Sequence, residues 1–86
     1  MKNESLKPRN IIVNGKRTTV KLSNIEMNVA RDLADFHNMK LNDYLVALID
    51  MANEIDKSYG RSMGIRDGII AELYSLLVDY DKLFKR

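Results

Sequence analysis

The sequence predicts a mainly α-helical fold in which one short strand region feeds three amphipathic helices. Three observations carry this expectation. Residues 16–22, KRTTVKL, alternate in polarity; a helix-capping signature, Ser23 with Glu26, follows at once; and from Ile25 onward the apolar residues recur at three- and four-residue steps.

At 86 residues the chain has room for one small domain, whose core is marginal unless a partner extends it. The 45% hydrophobic and 30% charged fractions fit a folded protein and exclude the disordered and fibrous classes. No apolar run approaches a membrane span, and MKNESLKPRN lacks the apolar centre of a secretory signal. Without Cys there is neither a disulfide framework nor a thiolate metal site, and a cytoplasmic location is expected. Net charge is +2, but it is unevenly placed. Residues 1–22 hold Lys2, Lys7, Arg9, Lys16, Arg17 and Lys21 against Glu4 alone, a surplus of +5 that leaves −3 for the rest. Such asymmetry is the pattern of a polyanion-binding segment on a neutral or acidic body.

Residues 1–10 are polar, contain the single Pro8 and show no period, so they read as a flexible basic arm. From Lys16 to Ser23, Thr18, Val20 and Leu22 share one face of a strand, and Arg17, Thr19 and Lys21 share the other. One strand cannot stand alone. Asn14-Gly15 offers a tight turn that folds NIIV back as a hairpin, placing Ile11 and Val13 on the face of Thr18 and Val20. The strand can also pair with its own copy in a second subunit, and the two are not exclusive, since IIV can flank such a ribbon as an outer strand.

Ser23 and Glu26 open the first helix, whose apolar residues Ile25, Met27, Val29, Ala30, Leu33, Ala34 and Phe36 leave Arg31, Asp32 and Asp35 for solvent, with His37 or Asn38 at its end. The second helix runs from about Leu41 to Ser58 on Leu41, Leu45, Leu48, Ala52, Ile55 and Tyr59. Tyr44, Ile49 and Met51 widen its apolar surface, Gly60 is placed to cap it, and GRSMG reads as the link. The third, about Met63 to Phe84, carries Ile65, Ile69, Leu73, Leu76, Tyr80 and Leu83 on one seam, with Ile70, Leu77 and Phe84 beside it. Gly68 within it implies either a close helix contact or a weakened first turn.

The order strand, capped helix, short link, helix, in RTTVKLSNIEMNVARDLADFHNMKLNDYLVALI, resembles the ribbon-helix-helix family of DNA-binding proteins over residues 16 to about 56. That resemblance implies a homodimer in which the N-terminal strand pairs across the two-fold over two core helices per chain, with the third helix as an addition. The domain would span residues 11–59, with residues 60–86 serving dimer packing or higher assembly. It also implies that Arg17, Thr19 and Lys21 enter the major groove of duplex DNA, a chemistry suited to Arg and Lys against guanine and Thr against bases. By the same resemblance, Lys40, Leu41 and Asn42 at the second helix's start hold a phosphate; Lys40 stands where many members have Ser or Thr. Lys7, Arg9 and Lys16 are further phosphate candidates from their charge.

Nothing points to catalysis: there is one His, no Cys, no Gly-rich phosphate loop and no metal-ligand spacing, so neither catalytic nor metal residues nor a cofactor are expected. The expected function is sequence-specific duplex DNA binding, as a homodimeric transcriptional repressor or a plasmid accessory factor, as a dimer, a tetramer or dimers side by side on DNA. The rival reading is a protein-interaction module, antitoxin-like, whose third helix engages a second protein.

Overall fold

The computed structural model describes residues 5–84, with side chains described as far as Tyr80. Its elements are β1 (Lys7–Val13), β2 (Lys16–Leu22), α1 (Asn24–Phe36), α2 (Leu41–Ile55) and α3 (Arg61–Phe84). Among the described residues no helix is long and apolar enough to cross a membrane.

The two strands form an antiparallel hairpin within the chain. Asn14 and Gly15 take positive φ values of 52° and 78°, as a two-residue turn of type I′ requires, and the turn sets the register Val13↔Lys16, Ile11↔Thr18, Arg9↔Val20. Of the two ways to pair β2, the intramolecular one is present: β1 pairs with one edge of β2. The basic arm expected over residues 1–10 therefore gives way to strand at Lys7. Its residues 1–4 lie outside the described residues. Pro8 falls where the backbone points away from β2, so its missing N–H leaves no gap in the ladder.

The cap at Ser23 forms as its residue pair dictates. The Glu26 amide donates to Ser23 Oγ (3.1 Å), and the Ser23 amide donates to Glu26 Oε1 (2.8 Å). At the other end Asn38 adopts a left-handed φ of 57°, and the Asn38 and Met39 amides return to the Asp35 and Ala34 carbonyls, closing a Schellman motif. Helix α2 stops at Ile55, short of the expected Ser58, because Asp56 is already extended and its carboxylate accepts from the Ser58 amide and hydroxyl. Gly60 does not cap α2 as expected. Its carbonyl accepts from the Gly64 amide, so it opens α3, and the link is Asp56–Gly60, ahead of RSMG.

Beneath the hairpin lies one core of Ile11, Val20, Leu22, Ala30, Leu33, Ala34, Tyr44, Leu45, Leu48, Ile49, Ile65 and Ile69. Every element contributes, so the helices set the orientation of the ribbon. The half-buried Glu26 adds a tie to α3: Arg66 Nε donates to Glu26 Oε2 at 2.6 Å. Burial alone would raise the Glu26 pKa, but the Ser23 amide and the Arg66 guanidinium hold it below the usual carboxylate range. A depressed pKa means stability that is present above the unfolded value and lost as pH falls through the folded one. Glu26→Gln should thus cost on the order of 1 kcal/mol at pH 7. The difference should shrink in acid, below the ordinary value of 4.5, in urea titrations at the two pH values.

Gly68 marks a close helix contact. A Cβ there would stand 2.9 Å from Leu48 Cδ2 and 3.3 Å from Leu48 Cβ, and one on Gly64 would stand 3.0 Å from Ala52 Cβ. The cost of about 1 kcal/mol for Gly in a helix is offset by the approach of α3 to α2 that it permits. Gly68→Val should therefore destabilise by roughly 1–3 kcal/mol despite removing a glycine, because Leu48 must leave its place. A thermal melt reads this directly.

Candidate nucleic-acid interface

The hairpin register decides which side chains share the outer face. Arg17, Thr19 and Lys21 lie on it from β2, and directly across stand Ile12, Asn10 and Pro8 from β1; all six are exposed. Thr19 Oγ1 donates to Asn10 Oδ1 at 3.2 Å, linking the strands across this face. The inner face is closed by Ile11, Val20 and Leu22. The sequence alone assigns no role to Asn10 and Ile12, although the Asn14-Gly15 turn, once accepted, places both outward. Asn can read adenine and an exposed Ile can touch a thymine methyl, so β1 adds uncharged reading groups to the basic ones of β2.

Each long edge of the hairpin is clipped to a helix start. On the β1 side, the Ile12 amide donates to Asn42 Oδ1 (2.8 Å), and Asn42 Nδ2 donates back to the Ile12 carbonyl (3.0 Å). On the β2 side, the Lys21 amide donates to Ser62 Oγ (2.9 Å). The N-terminus of α2 thus abuts one edge and that of α3 the other, and exposed Lys40 and Arg61 stand at these two helix starts. By sequence Arg61 and Ser62 fall in the expected link; the only signal for their true place is that Gly60 can open a helix as readily as close one.

The phosphate candidates divide. Lys7 and Lys16 are exposed at the strand ends. Arg9 falls on the inner side of β1 and is engaged within the chain, its Nη2 donating to Asn24 Oδ1 at 2.7 Å and its Nε to the Leu22 carbonyl at 3.4 Å. It braces the strand-to-helix junction instead of pointing to solvent. Asn42 likewise spends its amide on Ile12. Lys40 is the N-cap of α2 with no side-chain cap bond, and Leu41 is half-buried behind it. Asp43 occupies the first turn of α2, where its negative charge already complements the helix dipole and weakens that end as an anion site.

Away from the hairpin, a second polar cluster joins the end of α1 to α2 and α3. Tyr44 Oη donates to Glu72 Oε1 (2.7 Å), His37 Nε2 lies 3.0 Å from the same oxygen, and the His37 and Tyr44 rings stack at 5.7 Å. Burial first, then the Glu72 carboxylate, pushes the Tyr44 phenol well above its ordinary value. Tyr59 makes the corresponding bond to Asp67. Among the described residues no group of three or more His, Asp or Glu could hold a metal ion. No family model, curated protein or solved structure matches this chain.

Proposed function

We propose that the chain binds duplex DNA by laying the outer face of its β-hairpin in the major groove, as a regulator of the repressor or accessory-factor kind. The observation that supports this most is that Arg17, Thr19 and Lys21 stand together on one exposed face of a ribbon braced by three helices. Two paired strands about 4.8 Å apart fit a groove about 12 Å wide. Helix starts at both edges, with Lys40 and Arg61, lie where the groove's two phosphate walls would pass. Lys7 and Lys16 extend the positive surface to the two ends of the ribbon. Arg9 and Asn42 act indirectly, holding the ribbon against α1 and α2.

The test is a salt series of duplex binding by fluorescence anisotropy. Affinity should fall steeply with salt, and Lys7→Gln with Lys16→Gln should flatten the log–log slope by about 0.9 for each phosphate that the two lysines neutralise. A salt-insensitive protein would not be binding through this surface. The rival reading, a protein-interaction module, draws on the exposed Ile70, Leu73, Tyr74 and Leu77 of α3. It predicts no salt-dependent DNA binding at all.

A further inference from the structure

Helices α2 and α3 leave an apolar cleft of about 520 Å³ between them, and none of its lining residues belongs to the hairpin. We propose that this cleft binds a lipophilic organic cation, with the apolar body between α2 and α3 and the positive charge against Glu72 and Asp67. Such binding involves no contact with DNA and holds whether or not the hairpin reads a groove.

Size and floor are those of a ligand site. The volume lies within the roughly 300–1,000 Å³ of small-molecule pockets. Gly64 and Gly68 let α3 close on Ala52 and Leu48 of the same chain, and all four residues line the cleft, so it has a floor where the two helices meet. Met39 and Met51, both exposed on its wall, are unbranched thioethers that adapt to the shape of an apolar guest.

Charge selects a cation as that guest. Asp67 and Glu72 line the cleft, and no Lys or Arg is among its described lining residues. Each carboxylate is held by a phenol, Glu72 by Tyr44 at 2.7 Å and Asp67 by Tyr59. Both phenols are held above their ordinary value, Tyr44 by burial first and then by Glu72, Tyr59 by its bond to Asp67 first, so both stay protonated donors at neutral pH. A phenol satisfies a carboxylate oxygen without cancelling its charge. His37, 3.0 Å from the same Glu72 oxygen, offsets that charge when protonated and leaves Asp67 unopposed. An anion would therefore meet like charge, and an uncharged guest would desolvate the carboxylates with nothing in return.

The kind of cation follows from the rings. The two tyrosines put an aromatic ring beside each carboxylate, and the His37 ring stacks on Tyr44 at 5.7 Å. An alkylated ammonium gains from ring faces as well as from the carboxylates. Lacking N–H groups, it makes no claim on the oxygens to which the phenols already donate. At 1.5 Å of rise per residue, Asp67 and Glu72 are rooted about 7.5 Å apart along α3, so an elongated apolar body lies along both.

Calorimetry on the full chain tests the proposal with octyltrimethylammonium as the probe and octanol and octanoate as its uncharged and anionic counterparts. The cation should bind saturably, octanol about tenfold or more weaker, and octanoate not at all. Asp67→Asn with Glu72→Gln, which keeps an oxygen for each phenol, should weaken the cation by about tenfold or more and leave octanol unchanged. Amide NMR shifts on titration with the cation should gather in segments 47–55 and 64–75. No saturable binding at millimolar cation, equal binding of cation and octanol, a variant with wild-type affinity, or shifts centred outside those segments would each overturn the site. If the variant loses helix signal in circular dichroism, the salt response of the wild type decides. Affinity for the cation should fall as sodium chloride rises while that for octanol does not, and equal responses would refute the role of the carboxylates.

Discussion

Arg17→Ala with Lys21→Ala is expected to remove most specific duplex affinity while the melting temperature stays nearly fixed. Each long side chain on the hairpin's outer face can make a base contact worth about 1–3 kcal/mol, so the pair accounts for roughly 30-fold to 10⁴-fold in Kd. Both are exposed, and exposed substitutions of this kind usually alter stability by no more than about 0.5 kcal/mol. The comparison that sharpens the result is Asn10→Ala. It stands across the ribbon from Thr19 and should change sequence preference at one position more than overall affinity. Anisotropy titrations against a selected site and a scrambled duplex separate the two effects. Unchanged affinity in the Arg17/Lys21 variant would remove the hairpin face as the reading surface.

The largest expected stability effect belongs to Ile65→Ala. Ile65 is wholly buried at the start of α3, beneath the β2 edge that Ser62 clips and within the core shared with α1 and α2. Truncating a buried Ile costs about 2–5 kcal/mol, the spread reflecting how far the site can collapse. At about 0.05–0.15 kcal/mol per residue, a chain of this length has only on the order of 4–13 kcal/mol in all. Urea unfolding should show the midpoint falling by a large fraction. Leu73→Ala, eight residues along the same helix but exposed, should scarcely move it in a lone chain. Equal effects at the two positions would mean that α3 is not anchored through its first turns.

The local chemistry of the chain is legible because single residues decide it. Asn14-Gly15 specifies the turn, Ser23 with Glu26 specifies the start of α1, and the three- and four-residue steps specify the helices. What the sequence leaves open is partnership. The strand KRTTVKL has the same alternation whether it meets NIIV in its own chain, its copy in another, or both, and only the packed hairpin shows the first. Gly60 misleads because glycine suits both ends of a helix; the extended Asp56 has already ended α2. Arg9 and Asn42 carry the right groups for phosphate, but their side chains reach backbone and side-chain partners far along the chain, which no local pattern encodes. Along α3, Ile65 and Ile69 are buried as the seam predicts, Leu76 is half-buried, and Leu73 and Tyr80 are exposed, because α3 outruns the body it packs on. The side chains of Leu83 and Phe84, also placed on or beside that seam, lie outside the described residues.

The intramolecular hairpin has a consequence for the length of any recognised site. A ribbon assembled from two subunits gives one reading element per pair of chains, so neither chain alone can probe a groove. Here β1 and β2 come from one chain, and Asn42 and Ser62 fasten the outer edge of each strand at one point. Each copy would then carry a finished reading element, and two copies would carry two. On the DNA-binding reading, a lone chain should recognise a short half-site unaided. A pair should prefer two such half-sites in inverted repeat, on one face of the duplex at a separation near a whole number of turns, about 10 base pairs each. Footprints would lengthen in steps of one half-site per added chain, and half a turn inserted between the two halves would undo the gain from pairing while leaving each half still recognised.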